Sequence, residues 1–271
     1  MYKRQVLILT FVCGLKTVSL YTVYASIYGM IDNIINIISN SVQSAMGQIF
    51  NSDRKRYYKL QEAFEVYYLA IVFSLLAVTS ILILPFMKLY TAGADINYVD
   101  WKLMVLFGLY QLMSYGRVTS NQIISYAGAF RETRTAAILE AVINLAVSLI
   151  CVFKFGIYGV LIGTVAALIY RSNDIILYAN RKIMKRSAWP TYRRWLIDFI
   201  IFIVLVAGFL QLPISLDSYV MFFLNAIWIT IVVFTVFVAI NTAIEREARE
   251  TAWMYLKNIL NKVIAKVKNN N

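Results

Sequence analysis

Long apolar stretches recur along this chain, separated by short polar gaps. A helix needs about 20 predominantly apolar residues to cross the hydrocarbon core of a bilayer. On that measure complete spans are predicted at about 18–50, 64–89, 103–127, 136–153, 157–178, 195–212 and 219–240, preceded by a shorter apolar stub at 6–13. The fold expected is an all-α, polytopic membrane helix bundle of seven complete spans and a truncated first one. Its parts are a transmembrane bundle over 1–178, two additional helices over 179–240, and a basic amphipathic tail over 241–271. Composition agrees, with 61% apolar residues and a mean hydropathy of +0.68.

Charge sets the direction. The chain carries 26 Lys and Arg against 14 Asp and Glu, a formal charge of +12. In alternate gaps and the tail lie 18 of these cations, among them Arg54, Lys55, Arg56, Lys59, Arg181, Lys182, Lys185 and Arg186. The opposite gaps hold Lys88, Lys102 and Lys154 beside Asp95, Asp100 and Asp217. By the positive-inside rule the tail is cytoplasmic and the first complete span enters from outside. The cations thus suit anionic lipid headgroups, and no basic patch on a soluble domain points to nucleic acid. In the tail, Leu256, Ile259, Leu260, Val263 and Val267 oppose lysines, as on a helix lying against the inner leaflet. This topology starts residues 1–5, with Lys3 and Arg4, in mid-bilayer, which is costly. The expectation is therefore a C-terminal part of a longer protein, whose N-terminal half would be its partner.

Several chemistries find no support. There is no His, Cys13 and Cys151 sit in apolar runs without CxxC spacing, and no phosphate-binding GxxxxGK[ST] occurs. No metal or cofactor is expected.

Polar residues inside spans then carry the information. On the first span Asp32, Asn36, Ser39, Asn40 and Gln43 recur at helical spacing, with Asn33, Ser44 and Gln48 beside them. So polar a stripe faces a bundle interior or water. On the third span Ser114, Arg117, Asn121 and Ser125 share a face flanked by Gln111 and Gln122, and on the fourth Glu140, Asn144 and Ser148 step by four. Arg171 and Asp174, three residues apart, read as a local pair. Glu140 either meets Arg131 or Arg134 by the adjoining loop or couples an ion. Asp32 and Arg117 have no opposite charge nearby on their own helices, which favours a water-filled cavity; the alternative is a static pair between helices. Arg117, always charged and bidentate, suits a polyanion. Tyr21, Tyr24 and Tyr28 share a face that could stack on sugars or belong to an interfacial belt. Gly159 and Gly163 have the spacing of close helix packing.

The run GLKTVSLYTVYASIYGMIDNIINIISNSVQSAMGQI resembles the segment that opens the second half of bacterial polysaccharide flippases, exporters of O-antigen and capsule repeat units. They are grouped with multidrug-and-toxin-extrusion and lipid II flippases. LPFMKLYTAGADINY, FGIYGVLIGTVAALIYR and the loop NSDRKRYYKLQEAFEVYY are similar in order and spacing. The resemblance implies two six-helix bundles around a central cavity, of which this chain would be the second plus two extra helices. It also implies ion-coupled alternating access, moving a polyprenyl-diphosphate-linked oligosaccharide from inner to outer leaflet of the bacterial cell membrane. Arg117 would take the diphosphate; Asn36, Asn40, Gln43, Asn121 and Tyr28 would take the sugars; Asp32, with Glu140, would serve the coupling ion. The rivals are a drug/cation antiporter of the same superfamily, a membrane-embedded enzyme of the polysaccharide pathway, and a scaffold. The outer loops are short for an enzyme, and none is expected.

Overall fold

The computed structural model describes residues 9–212 and 218–268, the side chains of 258–260 and 262–268 excepted. Residues 1–8 of the predicted stub, the loop at 213–217 and the tail's apolar positions 259, 260, 263 and 267 therefore lie outside the description. All regular structure among the described residues is helical. After a short helical segment at 9–13 come α1 (Leu15–Ser52), α2 (Arg54–Tyr90), α3 (Trp101–Gly116), α4 (Val118–Tyr126), α5 (Phe130–Phe155) and α6 (Ile157–Leu177). A π-helical turn (Tyr178–Ile183) leads on to α7 (Trp189–Leu210), α8 (Tyr219–Ile244) and α9 (Arg246–Lys268).

Local chemistry explains the boundaries. Gly14, at φ 78°, takes a left-handed conformation open to glycine and divides the first helical segment from α1. Asp53 separates α1 from α2 and caps the latter, its carboxylate accepting from the Arg56 amide at 3.0 Å. Asp100 caps α3 through the amides of Lys102 and Leu103. At 38 residues α1 is about 57 Å long, nearly twice the hydrocarbon thickness, so a membrane-embedded α1 extends well beyond the core.

Among the described residues four helices are long and apolar enough to cross a membrane: Arg54–Tyr90, Arg134–Phe155, Ile157–Ile183 and Tyr219–Ile244. The other expected spans fall short for identifiable reasons. α1 carries the polar stripe. The span expected at 103–127 is two helices, interrupted at Arg117 (φ −86°, ψ −9°). There Trp195 packs onto Gly116 so closely that a Cβ on the glycine would lie 1.9 Å from the indole. α7 holds Arg193, Arg194 and Asp198.

α2 is the hub, packing against α1, α3, α7, α8 and α9. Phe73 meets Phe202 of α7 and Phe237 of α8 at its centre. α5 instead pairs closely with α6. A Cβ on Gly159 would fall 2.3 Å from the Cys151 backbone, and one on Gly163 the same distance from the Ser148 hydroxyl. Away from that seam, α5 exposes Ile138, Val142, Ile150 and Phe153, and α8 exposes Val220, Phe223, Leu224 and Ile231. Apolar surface of this extent is what a helix presents to lipid.

Candidate functional site

The polar stripe of α1 is split by packing. Ser39 is buried and its carbonyl accepts from Gln122 of α4 at 3.1 Å. Asp32 and Gln43 are half-buried. Asn33, Asn36, Asn40, Ser44 and Gln48 are exposed, stepping by three or four residues down one side of the helix. Asn121 of α4 is exposed as well. None of the described hydrogen bonds joins the side chains of Asn36, Asn40, Gln43 or Asn121 to Arg117 or Asp32, so the predicted residues form a face and not a closed cluster.

Tyr28 lies elsewhere. It is 1% exposed, its ring stacks on Phe107 at 5.5 Å, and its hydroxyl donates to the Met104 carbonyl. Tyr21 and Tyr24 pack on the same phenylalanine. The three tyrosines that spacing placed on one face thus join α1 to α3, and Tyr28 has no face left for a sugar.

Asp32 accepts a hydrogen bond from the Tyr115 hydroxyl. No Lys or Arg among the described residues pairs with it. Arg117 meets its counter-charge on the next helix, Nη1 lying 3.4 Å from Glu140 Oε1. The second Glu140 oxygen is 3.5 Å from Arg171 Nε, and Arg171 Nη1 is 2.5 Å from Asp174. The Arg171–Asp174 pair read from spacing is present, now part of a four-residue chain of alternating charge. Glu140 joins it, and not Arg131 or Arg134; both of its oxygens face guanidinium groups, leaving none for an ion. Arg117 keeps most of its donor fork outside this chain, since the contact to Glu140 is a single long one. The arrangement orients a cation that could accept a further anion. Asn144 and Ser148, on the same stripe as Glu140, bond Thr164 and the Val160 carbonyl of α6, and so serve the seam.

A second network was not anticipated. Glu65 of α2, 1% exposed, accepts from Thr191 at 2.6 Å and pairs with Arg194 at 2.8 Å. Arg194 also reaches Glu245 at 3.2 Å, and Arg193 pairs with Glu245 too. Arg186 bridges Glu62 at 2.7 Å and Asn180. Alongside, Asn241 donates to the buried Asp198. This staple fixes α7, α8 and the start of α9 to α2. Burial alone would raise the Glu245 carboxyl, but Arg194 and then Arg193 hold it below the ordinary value of 4.5. At the other end Lys16 sits 3.0 Å from the exposed Asp95 and lowers its pKa.

Against protein-family models, curated proteins and solved structures the chain finds no match.

Proposed function

We propose that this chain forms one bundle of a two-bundle exporter in the bacterial cell membrane. In this reading it moves a polyprenyl-diphosphate-linked oligosaccharide from the inner to the outer leaflet by ion-coupled alternating access, with the C-terminus in the cytoplasm. The observation that carries the reading is the uncovered row of Asn33, Asn36, Asn40, Ser44 and Gln48 on α1. It belongs to a bundle whose α5 and α8 expose apolar surface suited to lipid. A row of amides facing lipid is costly, whereas a hydrated path for a glycan satisfies it. α1, α3 with α4, and α7 then cross beside the four apolar helices, giving seven spans, and a second bundle supplies the opposite wall.

Arg117 would hold the diphosphate with the part of its fork that Glu140 leaves free, and Glu140 would orient it. Asn36, Asn40, Gln43 and Asn121 would bond sugar hydroxyls. Asp32 would carry the coupling ion. The test is made on the gene in its own cell, with surface polysaccharide as readout. Arg117→Gln at normal protein level should cut export by about ten- to hundredfold, the worth of a hydrogen-bonded charge, and Arg117→Lys should cut it less. Normal export by Arg117→Gln, or protein that is recovered only when Glu140→Gln is added, would show that the arginine is structural.

One feature favours the drug/cation antiporter: the aromatic side chains of Tyr21, Phe107 and Tyr110 line the same cavity as Asp32, a setting that suits an organic cation. Under that reading Arg117→Gln leaves transport intact and Asp32→Asn abolishes it.

A further inference from the structure

Between α1 and α3 lies a cavity of about 320 Å³ whose walls include Gly29, Asp32, Tyr110 and Gln111. Two of its polar groups are short of partners. The Asp32 carboxylate receives only the Tyr115 hydroxyl, and no basic side chain among the described residues balances its charge. Gln111 is 2% exposed, and its Oε1 is buried without any hydrogen-bond donor. A buried acceptor in this state is uncommon and costly, and its oxygen is free to accept a donor or a cation.

The geometry brings the two groups together. Gln111 and Tyr115 lie four residues apart on one face of α3, so contact between Tyr115 and Asp32 sets Gln111 about one turn away along the same wall. Gly29 precedes Asp32 by three residues on the same face of α1. A Cβ added there would meet nothing within 4 Å, so the space beside the carboxylate is open. The cavity reaches up α1 to Tyr21. That is about 16 Å toward the end where the Tyr24 hydroxyl bonds the backbone of the 91–100 loop.

We propose that this cavity is a sodium site, with Asp32 and the Gln111 amide oxygen as ligands and the Tyr110 hydroxyl beside them. The donors are hard oxygens, the chemistry of alkali and alkaline-earth cations, with no nitrogen or sulfur for a transition metal. One carboxylate supplies one negative charge, which a monovalent ion neutralises; a divalent ion would leave excess charge inside the bundle. The site gives chemical identity to the ion of the transport reading, and rests on that reading only for the ion's role.

The experiment is thermal unfolding of the purified chain in detergent, in sodium chloride against choline chloride at equal ionic strength and fixed pH. Sodium at about five times its dissociation constant should raise the melting temperature saturably, by about 2–4 °C for a chain of this size. Gln111→Leu should lose most of that rise while melting in choline no lower than the parent, since it removes an unpartnered buried oxygen. Asp32→Asn should lose the whole rise, and Gly29→Leu, which fills the open space, should do the same. No sodium-specific rise in the parent, or an undiminished rise in both Gln111→Leu and Gly29→Leu, would overturn the site. A response to pH but not to sodium assigns a proton to Asp32 and overturns it equally. None of these readings involves export, so their failure leaves the transport proposal standing, and failure of export leaves them standing.

Discussion

Glu65 puts a carboxylate almost fully out of solvent, held by Thr191 and Arg194. Taking two charges out of water is expensive, and removing one of them strands the other. Arg194→Met should therefore destabilise the protein by about 3–5 kcal/mol by stranding Glu65, while Arg194→Met combined with Glu65→Leu should recover much of the loss, since Glu245 keeps Arg193. Melting of the two variants in detergent checks both statements. Equal destabilisation by the single and the double change would show that the cost lies in packing and not in the stranded carboxylate. The pair escaped the sequence because its members stand 129 residues apart, each at the edge of an expected span. There a charge reads as a headgroup contact. Arg171 with Asp174 was legible because both lie on one turn of one helix. The partner of Arg117 was not, because helical spacing finds charges on the same helix and Glu140 is on another.

Helices α5 and α6 meet along Thr133, Ala136, Glu140, Asn144, Ser148 and Val152, the buried stripe of an otherwise exposed α5. Gly163→Val would drive a side chain into Ser148, and should destabilise the protein by about 1–3 kcal/mol, or more where the backbone must move. Gly208→Val, at a glycine with open space around it, is the control and should change melting far less. The close seam was readable from Gly159 and Gly163. The break at Arg117 was not, since the distant Trp195 that packs on Gly116 leaves no local mark. At the corner of α8 and α9, the lowered pKa of Glu245 fixes the sign of a pH effect. Its stabilisation is fully present above the unfolded value near 4.5, and is lost as pH falls through the lower folded value. Amide exchange in α9, corrected for its intrinsic pH dependence, should rise in that acid window. In Glu245→Gln it should be raised already at neutral pH. Protection unchanged through the window would mean that the arginine contacts do not hold this corner.

Across the whole molecule two kinds of surface stand apart. α5 and α8 present apolar side chains, and α1 presents a row of amides and hydroxyls interspersed with the exposed Met30, Ile34 and Ile37. Helical class and the four apolar spans followed from hydropathy alone. Which side of α1 stays uncovered did not, since periodicity gives a stripe without saying what packs on it: Ser39 went inward while Asn36 and Asn40 stayed out. The transport reading stands or falls on whether that row meets water. The most direct measurement is the reaction of single cysteines with a membrane-impermeant maleimide in the bilayer, with Cys13 and Cys151 first replaced by Ala. Asn36→Cys and Asn40→Cys should react at rates close to those of a loop cysteine at Ala94, and slow when polyprenyl-diphosphate oligosaccharide is added. Ile138→Cys and Ile150→Cys, on the apolar face of α5, should stay unreacted. If Asn36→Cys and Asn40→Cys are as inert as the α5 pair, the polar face of α1 lines no aqueous path.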